Sequence, residues 1–158
     1  MKRLPVIAAA ALAALAIAPA QGTAAPPAGF ALSPTSLSFA TAVDSFQYQF
    51  VTVTTSRRLV IQNPATLSGD VSRTDGGSIF FDTQAGSCWQ QYEALGDPIP
   101  AHTSCTIQIG FHPDAVRSYN ATLTVSRCTH WHLDPTFGFI VCDALDGFRT
   151  ASLTGSGT

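Results

Sequence analysis

Charged residues are scarce in this chain of 158 residues, and lysine is almost absent. Asp, Glu, Lys and Arg make up 11% of the sequence, and the single lysine is Lys2. Binding to nucleic acid and adhesion to anionic lipid both depend on clustered basic side chains. The composition therefore argues against both kinds of partner. Little Lys beside much Ala and Arg is typical of a GC-rich bacterial genome.

Long apolar runs are also absent, except at the N-terminus. Two basic residues precede an almost unbroken apolar run over 5–18, and small residues follow. This order is typical of a secretory signal peptide, and the run is short for a membrane anchor, which is the alternative. We predict a signal peptide over 1–24, cleaved after Ala20 or Ala24, and a secreted, periplasmic or envelope-associated product. Six arginines then face ten acidic residues, a net charge of −4 with His neutral.

No helical period of 3.6 recurs after the predicted signal, where a linker rich in Pro, Gly and Ala covers 25–31. Apolar and polar residues instead alternate in several short segments, most clearly in SCTIQIGFHP at 104–113. A period of two indicates a strand with one buried face, and Pro113 ends it because proline cannot donate to a sheet. Such strands, separated by turns, predict one all-β sandwich domain over 32–158.

Two segments near the start of this domain predict strands, one at a sheet edge and one with a change in the phase of its apolar residues. Residues 30–40 indicate a first strand at a sheet edge, where Pro34 is tolerated. Apolar residues alternate over 46–50 and again, in the opposite phase, over 51–53. The change of phase predicts either a β-bulge or a strand that is buried on both faces.

The four cysteines are even in number and follow an export signal, which indicates two disulfides. Three pairings are possible, and we favour Cys88 with Cys105 and Cys128 with Cys142. Each bridge closes a modest loop and contributes about 3 kcal/mol in the loop-entropy model. A four-cysteine zinc site is the alternative, but such sites use closer pairs such as C-x-x-C.

Five motifs stand in the order found in bacterial choice-of-anchor D repeats. They are LSPTSLSF (32–39), VTVT (51–54), SCTIQIGFHP (104–113), ATLTV (121–125) and LTGSG (153–157). The chain resembles these repeats, which are relatives of the ASPM, SPD-2, Hydin domain and of the major sperm protein fold. The resemblance implies an immunoglobulin-like antiparallel β-sandwich of seven to eight strands. It also implies an adhesive or interaction domain, and it gives no catalytic residues.

Two features depart from the pattern of this family. The family has Asn-Thr-Gly after its second strand, where this chain has TSRR at 55–58, so the turn there is expected to differ. The family also reaches its closing strand soon after the ATLTV strand, whereas about twenty-five residues intervene here. We therefore expect a disulfide-stapled loop insertion.

This insertion, residues 126–148, is predicted to be a hairpin between Cys128 and Cys142 with its turn near Asp134. It is rich in aromatic residues: Trp131, Phe137, Phe139 and Phe148. One interpretation is a satellite cluster that covers an end of the sandwich. The other is a rigid loop that binds a partner through Trp131, Phe137 and Phe139, because aromatic anchors on a stapled loop lose little entropy on binding.

Two histidines of the insertion are candidate metal ligands. Cys128, His130 and His132 lie on one face if the segment is extended. Zn²⁺ or Cu²⁺ would need further ligands, for which the candidates are His102, His112 and Asp134. A disulfide at Cys128 would remove that residue as a ligand. Ordinary exposed loop histidines are the alternative.

Sequence patterns of catalysis are missing, since there is no G-x-S-x-G elbow and no glycine-rich phosphate loop after a strand. We expect no enzyme activity and no cofactor. The function expected is that of an exported monomer that binds a protein or a cell-envelope component through the 126–148 loop. A structural or spacer protein without a discrete ligand is the first alternative, and weak metal binding through His130 and His132 is the second.

Overall fold

The computed structural model describes residues 28–62, 65–71, 81–84, 86–89, 97–136, 138 and 140–158. Nine strands run through this part of the chain. In order they are β1 (Phe30–Ser33), β2 (Ser36–Thr41), β3 (Gln47–Thr55), β4 (Val60–Ile61), β5 (Thr66–Gly69), β6 (Phe81–Gln84), β7 (Ser104–Phe111), β8 (Ser118–Leu133) and β9 (Ile140–Gly157). The predicted signal peptide lies outside the described residues. Within them, no helix has the length and apolar character needed to cross a membrane.

The sandwich begins earlier than the predicted linker over 25–31 allows. Ala28 is fully buried, and β1 already starts at Phe30. Phe30 and Leu32 alternate with exposed residues and both face the core. The described part of the linker therefore belongs to the domain, because its apolar residues continue the period of β1.

Two sheets face each other. One has the strand order β1-β3-β7-β6, and the other has β2-β9-β8-β4 with β5 also paired to β8. All these pairings are antiparallel except that of β2 with β9. Pro34 separates β1 from β2, which are the two halves of the predicted first strand and lie at the edges of different sheets. With β1 and β2 counted as one strand, the described part has eight strands. The predicted all-β sandwich is therefore confirmed.

The segment that gave the clearest alternation, 104–113, lies at the centre of the first sheet. Its strand β7 runs between β3 and β6 and buries Ile107, Ile109 and Phe111. Leu123 of β8 in the opposite sheet is fully buried in the same core cluster. Burial of a side chain of this size contributes roughly 1.5–3 kcal/mol. The period of two thus identified the strand and its core face correctly.

Strand β3 differs from both predictions made for its sequence. It pairs with β7 in one continuous register and has no bulge against it. Val51 and Val53 face the core, whereas Phe46, Tyr48 and Phe50 are 60%, 43% and 51% exposed. The two phases are therefore the two faces of one regular strand, of which only one is buried.

Two glutamines of β3 reach across the sandwich to the edge strand β2. Gln47 Oε1 accepts a hydrogen bond from the Ala40 backbone N–H at 2.9 Å. Gln49 Nε2 donates to the Ser38 carbonyl at 2.5 Å. Free backbone groups on an edge strand are a template for pairing with another chain. The glutamine side chains occupy two of these groups in β2.

Both disulfides favoured by the sequence are present. Cys88 is joined to Cys105, with a Cα–Cα distance of 4.8 Å, and Cys128 to Cys142, with a distance of 5.6 Å. The first attaches the segment 86–89 to β7, and the second links β8 to β9. Disulfides persist in oxidising compartments, so the two bridges indicate an extracellular or otherwise oxidising environment.

Candidate functional site

The insertion forms a two-stranded extension of the second sheet. Strand β4 pairs with β8 only as far as Cys128, and β2 pairs with β9 only from Ser152 onward. Beyond Cys128, within the described residues, β8 is paired with β9 alone. We call the described part of this extension, residues 129–136, 138 and 140–144, the arm. It confirms that the insertion continues the β8–β9 hairpin.

The turn and base of the arm have local supports. At the turn, the Gly138 N–H donates to the Asp134 carbonyl at 2.8 Å, and the Thr136 N–H donates to Asp134 Oδ1 at 2.7 Å. At the base, Val60, Cys128 and Ile140 form a small buried cluster against which Cys142 packs, separate from the main core. A two-stranded hairpin is marginally stable alone, so the disulfide and this cluster hold the arm to the sandwich.

The aromatic residues of the insertion do not all share one environment. Trp131 is 39% exposed on the arm, and Phe148 is 59% exposed. Phe137 and Phe139 lie outside the described residues. Among the described residues, the cluster at the base of the arm consists of aliphatic side chains and the Cys128–Cys142 disulfide. Trp131 therefore remains as the described aromatic candidate for partner binding.

Trp131 lines a groove at the base of the arm with a volume of about 360 Å³. The groove is lined by Arg57, Arg58, Leu59, Val60, Pro98, Arg127, Cys128 and Trp131. Its walls come from distant parts of the chain that the pairing of β4 with β8 brings together, since Val60 lies opposite Cys128 and Ile61 opposite Arg127. We call it the arm groove.

Three of the five arginines in the described part of the chain line the arm groove. Arg127 is held against the carboxylate of Asp146, and its side chain is 14% exposed. Arg57 lies over Gly29, where an added Cβ would clash with the Arg57 side chain. Gly29 has a φ of +80°, a conformation that glycine adopts readily. Its carbonyl accepts hydrogen bonds from the Ser56 N–H at 2.9 Å and hydroxyl at 3.1 Å, which fixes the chain just before Arg57.

A second pocket of about 370 Å³ includes Gly29, which the Arg57 side chain approaches. It is lined by Gly29, Phe30, Ala31, Thr54, Thr55, Ser56, His102 and Arg149. Four of the five described arginines therefore lie at the end of the sandwich where β3 ends, and Arg117 pairs elsewhere with Asp70. This concentration of guanidinium groups contrasts with the net charge of −2 for the whole chain.

The candidate metal ligands are not brought together. Register shifts on both sides of His130 interrupt the alternation in β8, so Cys128 is buried while His130 and His132 are exposed. Cys128 is in a disulfide, and His132 Nδ1 lies 2.9 Å from Asp143 Oδ2. His102 and His112 lie at opposite ends of β7. No group of three potential ligands occurs within the described ranges.

Comparison with known proteins supports the fold and not a function. No family model matches the chain, and no curated protein matches it. Among solved structures, the chain is similar to the ASH or PapD-like domain 7 of human CEP192, with a TM-score of 0.53, 12% identity, and coverage of 94% of this chain and 98% of that one. This likeness shows a PapD-like, immunoglobulin-like fold.

Weaker likenesses were also found. The Caenorhabditis elegans major sperm protein family member WR4 gives a TM-score of 0.43 at 10% identity, over 83% of this chain and 99% of that one. The Vibrio cholerae protease VesB gives 0.43 at 11% identity, over 81% of this chain and 32% of that one.

The arginines of the arm groove were not identified as site residues from the sequence. The low net charge predicts no basic site, although a sum of charges does not say where the basic residues lie. One signal was present: the pair Arg57 and Arg58 stands where the resembling family has Asn-Thr-Gly. In sequence this pair predicts an altered turn. Its position beside the arm depends on the pairing of β4 with β8, which no local pattern encodes.

Proposed function

We propose that this protein is an exported, non-catalytic module that binds a protein or a cell-envelope component through the arm groove and the arm. Support comes chiefly from the exposure of Trp131 beside the arginines of the arm groove. Trp and Arg are the residue types enriched at binding hot spots. The resemblance of the sequence to choice-of-anchor D repeats supports an interaction domain, and the predicted signal peptide supports export.

Rigidity of the arm favours this role over that of a passive spacer. Ordering a loop on binding costs free energy, and a loop that is already rigid loses less conformational entropy. The Cys128–Cys142 bridge and the buried contact of Ile140 fix the arm before any partner arrives. A spacer without a ligand has no need for an exposed tryptophan in a groove lined by arginines.

The test is capture of a partner from culture supernatant and envelope extract by the immobilised protein. The wild type is compared with a variant lacking residues 129–141, which removes Trp131. A second variant, Phe46→Ala with Phe50→Ala, alters the other exposed aromatic surface, on β3. We expect the first variant to lose the captured material and the second to retain it.

The opposite pattern, with capture lost only in the β3 variant, would place the binding surface on the outer face of β3 and contradict the proposal. If none of the three proteins captures any material, the result would favour the spacer role. Circular dichroism of the deletion variant must show the β-sheet spectrum of the wild type, so that loss of capture is not loss of fold.

A further inference from the structure

The charges in the arm groove point to the chemistry of its ligand. Arg57, Arg58 and Arg127 contribute three guanidinium groups, and the carboxylate of Asp146 contacts that of Arg127. The acidic residue Asp97 precedes Pro98 in the chain but is exposed and does not line the groove. Every charged residue among the described residues that line the groove is therefore an arginine.

We infer that the arm groove recognises an oxyanion, a carboxylate or a phosphate group, carried by the partner. This inference rests on the proposed function and specifies its ligand. The guanidinium group is a planar fork of N–H donors that matches carboxylate and phosphate oxygens in bidentate geometry.

Two of the arginines are held before a ligand binds. Arg127 is oriented by Asp146, and Arg57 rests on the backbone of Gly29. Arg58 is exposed and makes no hydrogen bond or ion pair with a residue that the structure describes. Its donors are available to a ligand, so Arg58 is the residue whose replacement should affect binding with the least effect on the fold.

The size of the arm groove limits what enters it. A volume of about 360 Å³ lies at the small end of the range for sites that hold small molecules. It fits one anionic group with the atoms attached to it, and Trp131 offers a flat face for the apolar part of that ligand. Several phosphates of a nucleic acid would instead need a longer basic surface.

Tryptophan fluorescence provides the experiment. The chain has two tryptophans, and Trp89→Phe leaves Trp131 as the single reporter. The probes are inorganic phosphate and citrate, with sodium chloride at equal ionic strength as the control. We expect a saturable change in Trp131 emission with at least one probe, and the stronger of the two identifies phosphate or carboxylate as the preferred group. The midpoint of thermal unfolding should rise with the same probe, since a ligand of the folded state stabilises it.

The variants separate bidentate recognition from simple charge attraction. Arg58→Gln should weaken binding of the effective probe about tenfold, the effect of losing one charge-assisted hydrogen bond. Arg58→Lys should recover only part of the lost affinity, because lysine keeps the charge without the planar fork of donors. Arg117→Gln removes the same charge far from the groove and should leave binding unchanged.

Several outcomes would overturn the inference. The first is that neither anion gives a saturable response. The second is that Arg58→Gln and Arg117→Gln weaken anion binding equally. The third is that a DNA duplex binds more tightly than phosphate and with a steeper salt dependence. The inference can also fail while the proposed function stands. This is the case if the captured partner needs Trp131, binds the Arg58→Gln variant normally and is not displaced by either anion. If both anions bind while deletion of 129–141 leaves capture intact, the proposed function fails and the anion site stands.

Discussion

Tyr119 is the residue that most clearly couples a loop to the core. Its side chain is fully buried, and its ring lies edge-on to Phe111 at 5.4 Å. Its hydroxyl donates to Asp114 Oδ1 at 2.7 Å and accepts from the Ala115 N–H at 2.9 Å. The guanidinium carbon of Arg117 lies 3.8 Å from the ring centroid. The turn before β8 is thereby fixed to the strand that follows it.

Removing this hydroxyl should destabilise the domain. Tyr119→Phe keeps the ring but leaves Asp114 and the Ala115 N–H without their partner, which should lower the free energy of unfolding by about 1–2 kcal/mol. Chemical denaturation measures the change. Tyr48→Phe is the matched control, since Tyr48 is 43% exposed, and it should change stability little. Equal effects of the two substitutions would contradict the role of the buried hydroxyl.

The same tyrosine should make stability depend on alkaline pH. Burial, and next the hydrogen bond to Asp114, raise the pKa of Tyr119 above its ordinary value of 10.0. The unfolded chain therefore releases this proton at a lower pH than the folded chain does. The contribution of Tyr119 to stability is complete below pH 10 and is lost as the pH rises through the folded-state pKa. Denaturation between pH 8 and about 11 should show a smaller decline for Tyr119→Phe than for the wild type; identical declines would contradict the assignment.

At the scale of elements, the arm depends on its disulfide. Replacing Cys128 and Cys142 with alanine should lower the stability of the arm more than that of the sandwich, because the arm lacks neighbouring strands beyond β4. The loss should be about 3 kcal/mol or less. Amide hydrogen exchange should become faster over 129–133 and 140–144, and remain slow in β7. Uniform acceleration in both regions would show that the arm is not a separate unit.

The connectivity of the bridges can be checked directly by peptide mapping without reduction. The expected fragments join Cys88 to Cys105 and Cys128 to Cys142. A fragment that joins Cys105 to Cys128 would contradict the hairpin arrangement of β8 and β9, since it would tie the arm base to the other sheet.

The edge of β2 is the second element whose behaviour can be tested. Gln47 and Gln49 occupy the Ala40 N–H and the Ser38 carbonyl. Replacing both glutamines with alanine frees two backbone groups on an exposed edge, and such edges pair between chains. Light scattering over a concentration series should show self-association of this double variant. Gln108→Ala, on the central strand β7, is the control and should stay as monodisperse as the wild type.

At the scale of the whole molecule, the sequence predicted what depends on local pattern. The alternation over 104–113 identified a core strand because inward residues such as Ile107 and Ile109 must all face one way. Loop length favoured the correct cysteine pairs. Alternation did not show which face of β3 would be covered, since Phe50 and Val51 are both apolar and burial depends on the other sheet.

The candidate site was harder to predict because it is made by tertiary pairing. The aromatic content of the insertion does predict Trp131 as a binding residue. Arg57 and Arg58 reach it only because β4, just after them, pairs with β8 beside Arg127. Residues about seventy positions apart thus form one groove. The net charge of a chain does not say where its arginines lie. A chain with a net charge of −2 therefore still presents a groove lined by arginines.

The claim that the arm groove is the binding site is tested most directly by the dissociation constant of the captured partner for two single variants. Trp131 and Phe148 are both exposed aromatic residues of the β8–β9 hairpin, but only Trp131 lines the groove. We predict that Trp131→Ala raises the dissociation constant about thirtyfold, as expected of a hot spot, and that Phe148→Ala leaves it within about twofold of the wild type. An unchanged dissociation constant for Trp131→Ala, or an equal rise for both variants, would contradict the account.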